Sequence, residues 1–176
     1  EAAINSNLFS KVLVSTDSEE IAEIAIKLGA DVPFLREEYY DDMASVSLAT
    51  LSALIQSEDY WGVKFNTVTQ LMANCPLRNQ YDIMNFKKEF HERDTNFLLS
   101  CFKFGWMNPW WAFTMDENLK HDSLFQGATK QRSQDQEDLF CPTGSIWMAN
   151  VDNFKVDKTF YGQDHQFKEI SWVSAI

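Results

Sequence analysis

Residues 11–36, KVLVSTDSEEIAEIAIKLGADVPFLR, read as a strand, a helix and a second strand in succession. Val12, Leu13 and Val14 make a short apolar run ending at Ser15, Thr16 and Asp17, which predicts a strand buried on both faces. Glu20 follows Asp17, and Glu19 follows Thr16, at the spacing of a capping box, so the helix is expected to start there. Ile21, Ile24, Ala25 and Leu28 recur at i, i+3, i+4 and i+7 and are expected to form its buried face. Gly29 is placed to stop the helix, and Val32, Pro33, Phe34 and Leu35 lead back into extended chain. The unit is βαβ. In open parallel α/β sheets ligands bind beyond the carboxyl ends of strands, and Ser15, Thr16 and Asp17 stand at such an end.

The rhythm continues outward from this unit. An acidic, aromatic loop over 37–42 precedes a helix predicted over 45–56, with Val46, Ala49, Ala53 and Leu54 inward. Residues 66–72 (NTVTQLM) are β-branched and read as a strand that stops before Pro76. Asp82 opens a helix whose buried stripe is Ile83, Phe86 and Phe90, and 96–102 is a fourth strand. The stretch FGWMNPWWAF at 104–113 and the polar residues after it break the pattern, so about 104–140 reads as an insertion. Strands return at 144–149 and 167–173.

Composition narrows the class. The chain has 176 residues, is 45% hydrophobic and contains 14 Phe, which makes it one globular domain with a core rather than a disordered chain. Its net charge of −11, with no Lys/Arg cluster, argues against nucleic acid or an anionic membrane as partner. No apolar run is long enough to span a bilayer, and no signal peptide is visible. Cys75, Cys101 and Cys141 form no CxxC pair, and His91, His121 and His165 are not spaced with them as metal ligands. Buried free thiols in a reducing cytoplasm are expected. The chain opens Glu1-Ala2-Ala3-Ile4, like the tail of an amphipathic helix, and closes Trp172-Val173-Ser174-Ala175-Ile176 within an expected strand, so we expect truncation at both ends. The glycines are scattered, and no Gly-rich phosphate loop occurs.

Three groups could carry chemistry. Ser15, Thr16, Asp17, Asn74 and the arginines Arg36 and Arg78 lie at strand ends, where they suit an anionic ligand or serve as caps, turns and surface. Lys130, Arg132 and their amide neighbours could clamp a carboxylate or form a solvated loop. Trp106, Trp110 and Trp111, outside the sheet rhythm, are read as a subunit interface. Cys75 has no nearby His in the sequence and is rejected as a nucleophile.

In order and spacing, VSTDSEEIAEIAIKLGADVPFLR at 14–36, DMAS at 42–45, QLMANCPLR at 70–78, RSQD at 132–135 and CPTGSIWM at 141–148 resemble the acylneuraminate cytidylyltransferase family. That family includes the CMP-N-acetylneuraminic acid synthetases and the pseudaminic and legionaminic acid cytidylyltransferases. The resemblance implies a three-layer α/β/α sandwich of the nucleotide-diphospho-sugar transferase, Rossmann-like fold with a dimerisation insertion. It implies a cytoplasmic homodimer that joins CTP to a nine-carbon 2-keto sugar acid, a nonulosonic acid, releasing pyrophosphate with Mg²⁺ as cofactor. By the same resemblance Arg36, Ala44, Ser45, Asn74 and Arg78 bind nucleotide. Gln70, Gln134, Thr143, Trp147, Phe160 and Tyr161 line the sugar site, with core packing an equal reading for the last three. Arg132 is the catalytic candidate, meeting the sugar carboxylate or phosphates from the insertion, often in the neighbouring subunit's site.

This chain departs from the family where Met72, Ala73, Asn74 and Cys75 replace Gln-Pro-Thr-Ser, and where Thr143-Gly144 replaces Asn-Gly; Gln70 and Asn74 stand near as substitutes. The family's phosphate-gripping loop would precede Glu1, and its metal-binding Asp-x-Asp would follow Ile176, so these residues alone are expected to be poorly active. The alternatives are a non-catalytic binding or assembly domain of this fold, a cytidylyltransferase for another 2-keto sugar acid, or a nucleotidyltransferase for another base.

Overall fold

The computed structural model of the protein describes residues 1–39, 41 and 43–175. Tyr40 and Asp42 of the acidic loop (Asp42 also opens the DMAS match) and Ile176 of the last expected strand lie outside the described residues. The helices are α1 (Ala2–Asn5), α2 (Glu19–Lys27), α3 (Val46–Trp61), α4 (Gln80–Glu92), α5 (Val151–Asp157) and α6 (Trp172–Ala175). The strands are β1 (Thr67–Gln70), β2 (Phe97–Lys103), β3 (Phe113–Met115), β4 (His121–Ser123), β5 (Phe140–Asn150) and β6 (Gln166–Glu169).

One mixed sheet runs β1-β5-β2-β6. β5 is antiparallel to β1 and β2, and β6 is parallel to β2, so the carboxyl ends of β1, β2 and β6 share one edge. Central β2 (FLLSCFK) is buried from Phe97 to Cys101, because helices cover both of its faces. Phe97 and Leu99 join Leu51 and Leu54 of α3 and Phe154 of α5 on one side. Leu98 meets Ile83, Phe86 and Phe90 of α4, with Ala2 and Ala3 of α1, on the other. This is the expected three-layer sandwich. The α4 stripe stands as read, and Asp82 is the third residue of a capping box whose N-cap is Asn79.

The opening unit differs from the reading of its sequence. Its two strands meet as a single parallel bridge, Leu13 to Asp31, and neither joins the four-stranded sheet. Val12, Leu13 and Val14 are half-buried, not enclosed on both faces. Ser18, not Thr16 or Asp17, caps α2 by accepting from the Ile21 N–H at 3.3 Å. The helix packs on Ala22 and Ala25, while Ile21 and Ile24 are each 51% exposed and Leu28 is also exposed. A lone bridge offers no continuous sheet surface on which branched side chains could lie, so only the alanine face fits.

Two further elements were misread. α3 extends beyond position 56 to Trp61 and ends at Gly62, whose φ of 63° suits the left-handed cap. The last segment is β6 followed by the helical turn α6, not one strand over 167–173. Near its end α3 buries the carboxylate of Glu58. Lys155 of α5 donates to it at 2.7 Å, Lys64 at 2.8 Å and the Phe65 N–H at 3.2 Å. Burial pushes this carboxyl's pKa up, but the three donors outweigh it and hold the group at about 2. The insertion carries the β3–β4 hairpin and three short 3₁₀ turns, with Trp106, Phe113, Met115 and Leu119 exposed. Trp110 instead packs edge-on against Phe125 at 4.9 Å.

Candidate functional site

A break in the pairing of β2 with β5 builds the site. Leu99 faces Trp147, yet Cys101 faces Pro142, so residues 143–146 all oppose Ser100. A bulge of this kind bends a strand and re-aims its side chains. Ser100, fully buried in an apolar strand, holds it: its hydroxyl donates to the Thr143 carbonyl at 2.9 Å and accepts from the Ile146 N–H at 3.0 Å.

The bulge meets the loop that follows β1. The Met72 N–H donates to the Gly144 carbonyl at 3.2 Å. Arg78 donates from Nη1 to the carbonyls of Ser145 at 2.6 Å and Met72 at 3.1 Å. Glycine leaves room at 144 for the Met72 side chain, which a Cβ there would displace. The segment after β6 closes a third side. Ser145 Oγ donates to the Ser174 carbonyl at 2.7 Å, and the Ala175 carbonyl accepts from Thr143 Oγ1 at 2.7 Å and Cys75 Sγ at 3.5 Å. The three walls, residues 71–78, 143–146 and 171–175, thus close on one another through these bonds at the edge where β1, β2 and β6 end.

Of the expected nucleotide residues, Asn74 and Arg78 are on the first wall. Asn74 is exposed. Arg78 is half-buried with its Nε unpartnered among the described residues, and loss of solvent lowers its pKa. Its Nη1 is committed to framework carbonyls. Arg36 belongs to the opening unit, where its N–H donates to the Thr16 carbonyl at 2.8 Å and its guanidinium stands 3.7 Å from Asp17. Asp17 therefore pairs with Arg36 instead of capping α2. Ala44 and Ser45 open α3; Ser45 is the N-cap residue, but its hydroxyl makes no capping bond.

Among the expected sugar residues, Gln70 accepts from Thr50 Oγ1 at 2.8 Å, tying β1 to α3. Trp147 donates its indole N–H to the Thr143 carbonyl at 2.7 Å. Its ring lies 5.7 Å from Tyr161, and Tyr161 lies 5.4 Å from His165. Tyr161 is 43% exposed, and burial of the rest of the ring raises its pKa. Phe160 fits the core-packing reading, being fully buried between Phe154 at 4.4 Å and Trp147 at 5.5 Å. Thr143 donates its hydroxyl proton to the Ala175 carbonyl.

Arg132 and Gln134 lie apart from these walls, beside a 3₁₀ turn of the insertion. Arg132 is paired twice with Asp135, at 2.7 and 3.0 Å, and its side chain is 72% exposed. Among the described residues no group of three or more His, Cys, Asp or Glu is placed to hold a metal ion. Two cavities lie elsewhere: one of about 360 Å³ between α4 and β6, near Lys88 and Lys168, and one of about 560 Å³ in the insertion beside Trp110 and Phe125. No helix is long and apolar enough to cross a membrane, within the described residues.

Sequence reasoning missed Ser100, Ser145 and His165. A serine inside FLLSCF was a usable signal, because a buried hydroxyl in an apolar strand needs a partner. Nothing local marks the other two.

A family model described as cytidylyltransferase matches residues 1–146. A post-translational flagellin modification protein B of Campylobacter coli is 39% identical over 100 residues, 56% of this chain and 43% of that protein. A pseudaminic acid cytidylyltransferase of Campylobacter jejuni subsp. jejuni serotype O:23/36 (strain 81-176) is 30% identical over 176 residues, 98% of this chain and 72% of the relative. Among solved structures, a CMP:2-keto-3-deoxy-manno-octonic acid synthetase complexed with CTP matches with a TM-score of 0.63 at 10% identity, over 96% of this chain and 76% of that one. At that identity the likeness is one of fold.

Proposed function

The chain belongs to the cytidylyltransferase family, and from that premise we propose that it comes from an enzyme activating a nonulosonic acid with CTP. The observation that supports the reading is the convergence of residues 71–78, 143–146 and 171–175 at the carboxyl ends of β1, β2 and β6, the edge where open α/β sheets bind ligands. The anomeric hydroxyl oxygen of the sugar acid bonds to the α-phosphorus of CTP. The bond from that phosphorus to the bridging oxygen breaks, pyrophosphate leaves, and the hydroxyl proton passes to solvent. Such transfer needs positioning and charge stabilisation, not a covalent nucleophile.

Arg36, Ser45 and Asn74 bind the nucleotide in this reading, with Ala44 shaping the turn. Ser45 and Asn74 are exposed, and among the described residues the Arg36 guanidinium has a long ion pair with Asp17, which supports that role. Arg78 orders the loop beneath them through its two carbonyl bonds. Trp147 and Tyr161 offer an apolar wall to the sugar. Gln70 and Gln134 complete the sugar contacts, Gln134 from the insertion. Mg²⁺, when bound, would add charge stabilisation at the phosphates. The exposed Trp106, Phe113 and Met115 suit contact with a second copy, which would bring Arg132 to the neighbouring crevice.

The test uses the full-length protein with CTP, Mg²⁺ and a panel of 2-keto sugar acids, reading CMP-sugar and pyrophosphate together. Equal release of both supports the reading. Absence of CTP binding by calorimetry, together with no product, would leave the fold as an assembly domain. Sedimentation at several concentrations tests the dimer, and a monomer throughout refutes it.

A further inference from the structure

α6 is a single turn, and its Ser174 and Ala175 carbonyls take three donors from two other elements: Ser145 and Thr143 of the β5 bulge, and Cys75 of the loop after β1. All five residues are buried. At its other end the turn is held by Trp172, whose ring meets Phe102 edge-on at 4.6 Å.

We propose that Thr143, Ser145 and Cys75 are positioning residues that grip these two carbonyls and set how the segment after β6 stands beside the ends of β1 and β2. The proposal rests on the reading that transfer takes place at these strand ends. It assigns Thr143 a role other than sugar contact, since its hydroxyl points its proton at Ala175. The grip reaches the aromatic wall as well, because the Thr143 carbonyl accepts from both Ser100 Oγ and the Trp147 indole N–H. A shift of Thr143 therefore moves the wall and the turn together. Thr143 Oγ1 and Ser145 Oγ bond partners 32 and 29 residues away along the chain, so they tie two separate elements together.

Thr143→Val in the full-length protein keeps the side-chain shape and removes the donor. Two readouts are taken: kcat and KM for the sugar acid, and amide hydrogen exchange over 171–175 without substrate. Misplacement of a reacting wall by a fraction of an ångström is expected to lower kcat about tenfold or more, with KM changed less than about twofold. Exchange at 171–175 should quicken, and Thr143→Ser should restore both. A raised KM with unchanged kcat would make Thr143 a sugar contact and overturn the proposal. Wild-type exchange in both Thr143→Val and Ser145→Ala would also overturn it. If the wild type turns over no sugar acid, the functional reading fails, and the exchange data alone still decide whether the grip exists.

Discussion

Glu58 gives the most exacting test of the packing. Its side chain is 2% exposed and its carboxyl is held at about 2 against an ordinary 4.5. At about 1.4 kcal/mol per pH unit, that difference contributes roughly 3 kcal/mol of stability at neutral pH. The sign follows from the lowered folded pKa. The contribution is complete above pH 4.5 and disappears as pH falls toward 2, with about 2 kcal/mol gone by pH 3. Glu58→Gln removes the charge and leaves Lys155, 30% exposed, without its partner, while the 77% exposed Lys64 simply turns to water. The variant is expected to be about 2–3 kcal/mol less stable at pH 7, and the gap should narrow to about 1 kcal/mol at pH 3. Urea unfolding at pH 7, 5 and 3 reads both. Glu89, lowered by Lys168 and Arg93, adds its own acid sensitivity, but it cancels in the wild-type minus variant difference. A gap below about 0.5 kcal/mol at pH 7, or one that does not shrink with acid, would refute the reasoning.

Other expectations are more local. Gly144→Ala should cost about 1–3 kcal/mol in urea unfolding, and Met72→Ala in the same chain should return part of that, because the new methyl group collides with the Met72 side chain. Additive losses in the double variant would contradict the contact. Gly162→Ala should be at least as damaging, since its Cβ would fall 2.4 Å from Phe97 Cε2 and 2.3 Å from Asp157 Oδ2; an unchanged melting temperature would count against this packing. Arg36→Ala should leave stability within about 1 kcal/mol, its ion pair with Asp17 being long and partly exposed, yet raise KM for CTP about tenfold or more. An unchanged KM removes Arg36 from the nucleotide pocket.

The sandwich was legible wherever burial repeats along the chain. Ile83, Phe86 and Phe90 declare a helix face by spacing, and FLLSCFK declares a strand covered on both sides. The rule fails at α2, where the isoleucine stripe is real in sequence but the bridge beside it is too narrow to cover it. The crevice was harder still. Its walls are joined by side chains bonding to backbone across distant segments, such as Arg78 to Ser145 and Thr143 to Ala175, and such bonds leave no periodic trace. The resemblance pointed to residues at these strand ends. It could not reveal that Thr143 faces a carbonyl or that Phe160 is sealed in the core.

The extra residues of β5 also have a consequence for how this chain can vary. In a strand, gaining or losing one residue turns every later side chain to the opposite face. Here pairing restarts on either side of 143–146, with Pro142 opposite Cys101 and Trp147 opposite Leu99. Met148 and Ala149 keep their places in the core because pairing with β2 resumes at Trp147. The bulge works as a joint: the irregularity is confined to four residues, and the sheet on either side of it stays in register.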